Sequence, residues 1–139
     1  LGIELLSQAS IRVAILSGRA SEALTRRAAE LKILECYQGV RDKKAQIERL
    51  RQQWQLKREE LLYVGDDLND LPAFEAVGVR VAVANSAPEL KARADFVTQA
   101  SGGNGAVREV CEWLLKAQEV WEQTVEAYLQ SRREAGSEA

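Results

Sequence analysis

An α/β fold built on a parallel sheet is what this sequence predicts, and three observations predict it. Short apolar runs bounded by turns alternate with longer stretches of helical periodicity. Polar clusters rich in glycine, hydroxyls and acids follow the first three of those runs, where open parallel sheets hold their ligands. A chain of 139 residues with 46% hydrophobic and 29% charged residues is globular in composition and long enough for one domain.

The elements follow in order. Ile11 to Leu16 (IRVAIL) reads as a buried strand ending at Ser17-Gly18-Arg19. Ser21 is placed to cap the next helix, whose apolar stripe is Leu24, Ala28 and Leu31. Glu35 to Gln38 is a short strand ending at Gly39. Asp42 caps a helix running to about Trp54, with Ile47, Leu50 and Trp54 on one face. Leu61 to Val64 is the third strand and enters Gly65-Asp66-Asp67. A short helix over Asp70 to Val77 is expected to stop at Gly78. Val79 to Val83 is the fourth strand, Pro88 opens another short helix, and Asp95 to Val97 is a fifth strand. A flexible loop, Gly102 to Gly105, precedes a long helix from Ala106. Its stripe runs Val107, Val110, Cys111, Leu114, Leu115, Gln118, Trp121, Val125, Tyr128 and Leu129. The stripe outlasts what one small domain covers, so its outer half is expected to pack on a partner chain. Residues 132–139 read as a disordered tail.

Composition excludes several functions. The chain has no histidine, which removes the Ser-His-Asp triad and histidine-ligated zinc. Cys36 and Cys111 stand alone, without CxxC spacing, and fit a reducing cytoplasm. With 19 basic and 21 acidic residues and a net charge of -2, nothing favours nucleic acid or an anionic membrane. No apolar run reaches the roughly 20 residues that span a bilayer. Catalysis must run on carboxylates, lysine, hydroxyls and a hard metal.

Three clusters suit that chemistry. Gly65-Asp66-Asp67-Leu68-Asn69-Asp70 crowds three carboxylates, which repel unless a cation sits among them. Mg²⁺ takes one or two carboxylates plus a phosphate. A loop whose acids cap the next helix is the plainer alternative. Ser17-Gly18 offers a hydroxyl and backbone N–H groups as a phosphate cradle, or an ordinary cap. Lys43 can neutralise a phosphoryl group, or be one more solvated lysine beside Lys44.

Together these clusters resemble the haloacid dehalogenase superfamily. The strings IRVAILSGRASEALTRRAAELKI, CYQGVRDKKAQ, LLYVGDDLNDLPAFEAVGVRVAVANSAPELKARADFVT and GGNGAVREVCEWLLKAQ look like the phosphatases of 3-deoxy-D-manno-octulosonate (KDO) 8-phosphate. They also resemble the related phosphatases of nonulosonate 9-phosphates. The resemblance spans Leu1 to Gln118. It implies a capless Rossmann-like sheet with helices on both faces, a domain over 1–118, and a helical extension and tail over 119–139.

The resemblance also implies roles. Ser17 would bind phosphate with Gly18, and Lys43 would stand beside the nucleophile and the phosphoryl group. Asp66 would bind Mg²⁺ directly. Asp67 would hold a metal-bound water or anchor Lys43, and Asp70 would complete the metal set, from its outer shell. Arg19 and Arg27 would hold the sugar acid, since a guanidinium suits a carboxylate. Their spacing, slightly over two helical turns, puts both on one site if the helix starts early. Gly103 and Asn104 would contact substrate from the glycine-rich loop, although many relatives have a basic residue in place of Asn104. A cytoplasmic homotetramer serving lipopolysaccharide synthesis is implied, with the C-terminal segment reaching a neighbour's site.

In such relatives an apolar strand ending in DxD precedes the segment matching Leu1-Gly2-Ile3. Its first aspartate attacks phosphorus to form an aspartyl-phosphate, and its second is acid and then base. The 139 residues hold no such motif. The strands starting at Ile11 and Leu61 are therefore expected to lack their shared central neighbour, and these residues alone to be inactive. A non-catalytic ligand-binding or assembly relative is the alternative. A receiver-type signalling domain fits less well, because its acidic pair would follow the first strand.

Overall fold

The computed structural model describes residues 2–9, 11–102, 105–117 and 126–133. The elements run α1 (Gly2–Gln8), β1 (Ala14–Leu16), α2 (Glu22–Glu30), β2 (Glu35–Tyr37) and α3 (Lys43–Gln53). They continue with β3 (Leu62–Gly65), α4 (Leu71–Phe74), β4 (Val79–Ala82), α5 (Pro88–Arg93), β5 (Phe96–Val97) and α6 (Ala106–Ala117). Strands and helices alternate, as expected. Two compact units result: Leu16–Ala20 with Tyr37–Val107, and Leu1–Ile15 with Ser21–Cys36 and Arg108–Ala139. The expected boundary after residue 118 falls outside the described residues.

The first unit holds the sheet β3-β4-β5, parallel throughout. Leu62 lies opposite Val79 and Gly65 opposite Ala82, while Val81 pairs with Phe96. β4 is central, and its Val81 and Ala82 are buried. β3 pairs only with β4 among the described residues, and Leu62, Tyr63 and Val64 are half-buried. β1 and β2 form a separate ladder. The stretch read as one buried strand over Ile11 to Leu16 is thus a strand of three residues, all only half-buried.

Two apolar clusters sit against β3 and β4. Ile47 of α3 meets Ala73, Ala76 and Val77, and Leu90 of α5 meets Phe74 and Ala82. Leu90 is fully buried, a contribution of roughly 1.5–3 kcal/mol. Asp42 caps α3 as expected, its Oδ1 accepting from the Ala45 N–H at 3.0 Å.

The helix expected over Asp70 to Val77 is instead a 3₁₀ turn, Leu68–Asp70, followed by the four-residue α4. Nor does Gly78 end it with a left-handed residue, since Gly39 and Gly105 are the described glycines with positive φ. A Cβ at Gly78 would lie 2.6 Å from the Glu59 Cα and 2.8 Å from the Arg58 carbonyl oxygen. Close backbone passage, not a helix stop, is what requires glycine there.

The second unit is helical around Leu5, Leu6, Cys111 and Leu115. Helix α1 was not anticipated, although Ile3, Leu5, Leu6 and Ala9 supply its apolar face. A Cβ at Gly2 would lie 3.0 Å from the Arg108 Cα, so α1 and α6 touch closely there. On α6, Val110, Cys111 and Leu115 are buried as predicted, but Val107 is half exposed, so the covered stripe starts a turn later. Burial pushes the Cys111 thiol up to about 11. Tyr128 packs on the same cluster. Gln118, Trp121 and Val125 lie outside the described residues. Ser21 caps α2 through its hydroxyl, which accepts from the Leu24 N–H at 3.4 Å. Among the described residues, no helix is long and apolar enough to cross a membrane.

Candidate active site

The three polar clusters meet at the carboxyl ends of their strands. β1 ends at Leu16, and the Ser17 N–H donates to the Tyr37 carbonyl oxygen at 2.9 Å. The Val40 N–H donates back to the Ser17 carbonyl oxygen at 3.0 Å. These bonds fix the loop after β1 against the turn after β2. That turn passes through Gly39, whose φ of 66° is cheap only for glycine, and reaches the Asp42 cap and Lys43. A Cβ at Gly18 would sit 3.9 Å from the Asn69 amide nitrogen, so the first loop also borders the acidic loop after β3.

Lys43 is the first residue of α3 and is only 8% exposed. Its Nζ donates to Asp70 Oδ1 at 2.7 Å. Asp70 is 3% exposed and accepts four hydrogen bonds. Oδ1 takes Lys43 and the Tyr63 hydroxyl, the latter at 2.5 Å. Oδ2 takes the backbone N–H groups of Asp66 at 2.9 Å and Asp67 at 3.2 Å. Burial pushes the Asp70 carboxyl up, yet Lys43, Tyr63 and the two N–H groups together hold it below the ordinary carboxylate range. Burial and the adjacent Asp70 raise the Tyr63 hydroxyl, which therefore stays a donor.

Gly65 makes this geometry possible. A Cβ there would lie 2.9 Å from the Asp70 Cβ, so any side chain would push the carboxylate off Lys43.

Asp66 and Asp67 differ from Asp70 in being exposed. Partial burial first, then the Asp70 and Asp67 carboxylates, hold the Asp66 carboxyl above its ordinary range, with Lys43 pulling the other way. Asp67 Oδ1 accepts from the Leu68 N–H at 2.7 Å and so caps the 3₁₀ turn. Asp67 thus serves as a cap whatever else it binds.

One expectation needs correction: the anchor of Lys43 is Asp70, not Asp67. Among the described residues no group of three histidine, cysteine, aspartate or glutamate side chains gathers for a metal ion. All the lone pairs of Asp70 have donors, so a direct metal bond would have to displace one. Asp66 and Asp67 remain as hard oxygen donors crowded enough to favour a cation, which suits Mg²⁺ with its partial water shell.

The other candidates are more dispersed. The Ser17 hydroxyl donates to the Arg19 carbonyl oxygen at 2.9 Å and accepts from the Arg19 N–H at 3.2 Å. Exchanging that exposed bond for a phosphate oxygen costs little. Arg19 is exposed and precedes the Ser21 cap. The two-turn spacing that placed it with Arg27 on one helix face therefore does not apply. Arg27 belongs to the other unit and pairs with Glu30 at 3.3 Å. Gly103 and Asn104 lie outside the described residues, while the neighbouring Gly102 N–H donates to Asn85 Oδ1 at 2.8 Å. A cavity of about 890 Å³ bordered by Arg58, Phe74, Arg80, Arg93 and Asp95 contains none of the expected site residues.

Sequence reasoning missed Tyr63. In the sequence it is one residue of an apolar strand, and nothing local reveals a hydroxyl that finds its acceptor seven residues later.

The haloacid dehalogenase-like hydrolase family matches residues 20–110. The KDO 8-phosphate phosphatase of Escherichia coli K12 is 45% identical over 117 residues, covering 84% of this chain and 62% of the relative. The chain thus spans less than two thirds of the length of the curated relatives it matches. The crystal structure of the corresponding phosphatase from Yersinia pestis aligns with a TM-score of 0.84 at 44% identity, covering 87% of this chain and 65% of that one. The Moraxella catarrhalis phosphatase, solved with magnesium, phosphate and KDO, aligns with a TM-score of 0.86 at 38% identity, covering 91% and 73%.

Proposed function

The chain belongs to the haloacid dehalogenase-like hydrolases, and from that premise we propose that it carries most of the site of a Mg²⁺-dependent phosphomonoesterase acting on KDO 8-phosphate. One observation carries the reading. The buried Asp70 holds the Lys43 ammonium through one oxygen and the Asp66-Asp67 backbone through the other. A phosphate-neutralising cation and two exposed carboxylates are thereby fixed in one network. The substrate assignment is supported by the 45% identical phosphatase and by the relative solved with magnesium, phosphate and KDO.

In this reading Lys43 neutralises phosphoryl charge from a fixed position. It spends one N–H on Asp70 and keeps two for phosphate oxygens. Ser17 turns its hydroxyl to a third oxygen, beside the Gly18 backbone. Asp66 and Asp67 would hold Mg²⁺, which when bound would offset phosphate charge and orient the phosphate. Arg19 is exposed and able to meet the sugar carboxylate, with Arg27 as a second candidate. The attacking and acid–base aspartates belong on a strand beside β3, whose pairing with β4 alone among the described residues, and whose half-buried side chains, support such a neighbour. A cytoplasmic homotetramer is part of the same proposal, as are substrate contacts from Gly103 and Asn104.

Phosphate release from KDO 8-phosphate by the full-length protein tests the reading. Turnover with Mg²⁺ that stops on chelation is expected. No turnover at saturating Mg²⁺ would overturn it.

A further inference from the structure

We propose that Tyr63 is a positioning residue for Lys43, acting through Asp70. The inference rests on the reading that Lys43 serves a phosphoryl group. Asp70 Oδ1 is shared by two donors, the Lys43 ammonium at 2.7 Å and the Tyr63 hydroxyl at 2.5 Å. The two backbone bonds on Oδ2 restrain the carboxylate along one edge, and the Oδ1 edge meets only side chains. Lys43 adds little restraint to that edge, because its four-carbon stem follows the oxygen it binds. Tyr63 adds more. Its ring is wedged between the two apolar clusters of its unit and meets Phe74 edge-on at 6.2 Å and 82°. Its hydroxyl is a rigid pin set from the sheet, and Oδ1 is held where the pin points. The hydroxyl also takes part of the hydrogen-bonding capacity of Oδ1, which limits how tightly the carboxylate draws the ammonium in. Lys43 is thereby presented with two unused N–H groups in a fixed direction.

Tyr63→Phe removes the hydroxyl and keeps the ring and its contact with Phe74. In the full-length protein, ¹H–¹⁵N spectra are expected to show a slowly exchanging Lys43 ammonium, assigned by its loss in Lys43→Ala. Tyr63→Phe should broaden or remove that signal. It should lower kcat roughly tenfold to a hundredfold, as losing an outer-shell partner does, with KM little changed. The loss should be equal on an aryl phosphate and on KDO 8-phosphate, which separates positioning from recognition of the sugar acid. A merely structural hydroxyl would lower thermal stability and leave both readouts alone. Either an unchanged ammonium signal or an unchanged kcat overturns the proposal. If the parent protein shows no turnover, the functional reading fails, and the ammonium signal still decides the role of Tyr63. If Tyr63→Phe does not fold, 3-fluorotyrosine at position 63, a stronger donor, should shift the ammonium signal with the ring retained, and no shift overturns the proposal.

Discussion

Asp66 and Asp70 lie four residues apart in one loop, and the structure pushes their carboxyl groups in opposite directions. Asp70 is the more deeply buried of the two and should be the harder to ionise, yet it is held below the ordinary carboxylate range. Asp66 is exposed and is held above it. Donors account for the difference. Asp70 has a lysine, a tyrosine and two backbone N–H groups, whereas Asp66 faces two other carboxylates with Lys43 as its opposing cation. A satisfied carboxylate is part of the scaffold. An exposed one crowded by like charges is free to serve as a ligand.

Removing the satisfied member should do the most damage. Asp70→Ala leaves the Lys43 ammonium buried without a counter-charge and frees two backbone N–H groups. The expected cost is about 3–5 kcal/mol, the penalty for breaking a buried ion pair from one side. Chemical denaturation would show it as a lowered midpoint. A loss below about 1 kcal/mol, the range of surface pairs, would mean that Lys43 swings out to water in solution. The pH dependence has a definite sign. The Asp70 carboxyl is lowered in the folded state, so its contribution is complete above the unfolded value of about 3.9 and is lost as pH falls through the lower folded value. Asp70→Ala should therefore flatten the acid limb of the stability curve.

The sequence disclosed the parts of this site unequally. The caps at Ser21 and Asp42 were legible because a cap is a local bargain between one side chain and an N–H three residues on. The convergence of Ser17, Lys43 and the acidic loop was legible from strand order, since each cluster follows a strand. The partner of Lys43 was not, because Asp67 and Asp70 are equally acidic in a string of letters. The choice between them depends on a contact across 27 residues and on the space that Gly65 leaves. The role of Gly78 is hidden for a similar reason, as its neighbours belong to a segment nearly twenty residues earlier. Helix α1 escaped because its apolar face, Ile3 to Ala9, is short and makes sense only against Cys111 and Leu115.

Asp66 sharpens the comparison from the other side. Its raised carboxyl means that folding favours the protonated form, so the fold is penalised as pH rises through the folded value. Asp66→Asn should then leave stability in chelator at pH 7 equal or slightly higher, within the roughly 0.5 kcal/mol usual for surface changes. Mg²⁺ should reverse the order. At a free concentration a hundredfold above its Kd, the metal stabilises the parent chain by about 2.7 kcal/mol through binding the folded state alone. Asp66→Asn should lose most of that gain. Thermal melts with and without Mg²⁺ at pH 7 measure both effects. An equal Mg²⁺ gain in both proteins would remove Asp66 from the metal site.

The smallest effect is expected at Arg27, and it carries the comparison beyond the acidic loop. Arg27 and Glu30 form an exposed pair one helical turn apart, with about two thirds of each side chain open to water. Such pairs contribute about 0.3–0.5 kcal/mol, so Arg27→Ala should shift the unfolding midpoint barely beyond error. Any larger consequence must be functional. If Arg27 holds the sugar carboxylate, its loss should raise KM for KDO 8-phosphate while leaving an aryl phosphate untouched, because the aryl substrate has no carboxylate to lose. Arg19→Ala, in the loop beside Ser17, should do the same if Arg19 is the sole clamp. Steady-state kinetics on the two substrates therefore assigns the clamp. A shift for Arg19→Ala alone would mean that Arg27 is no more than the solvated helix charge its pairing with Glu30 makes it look.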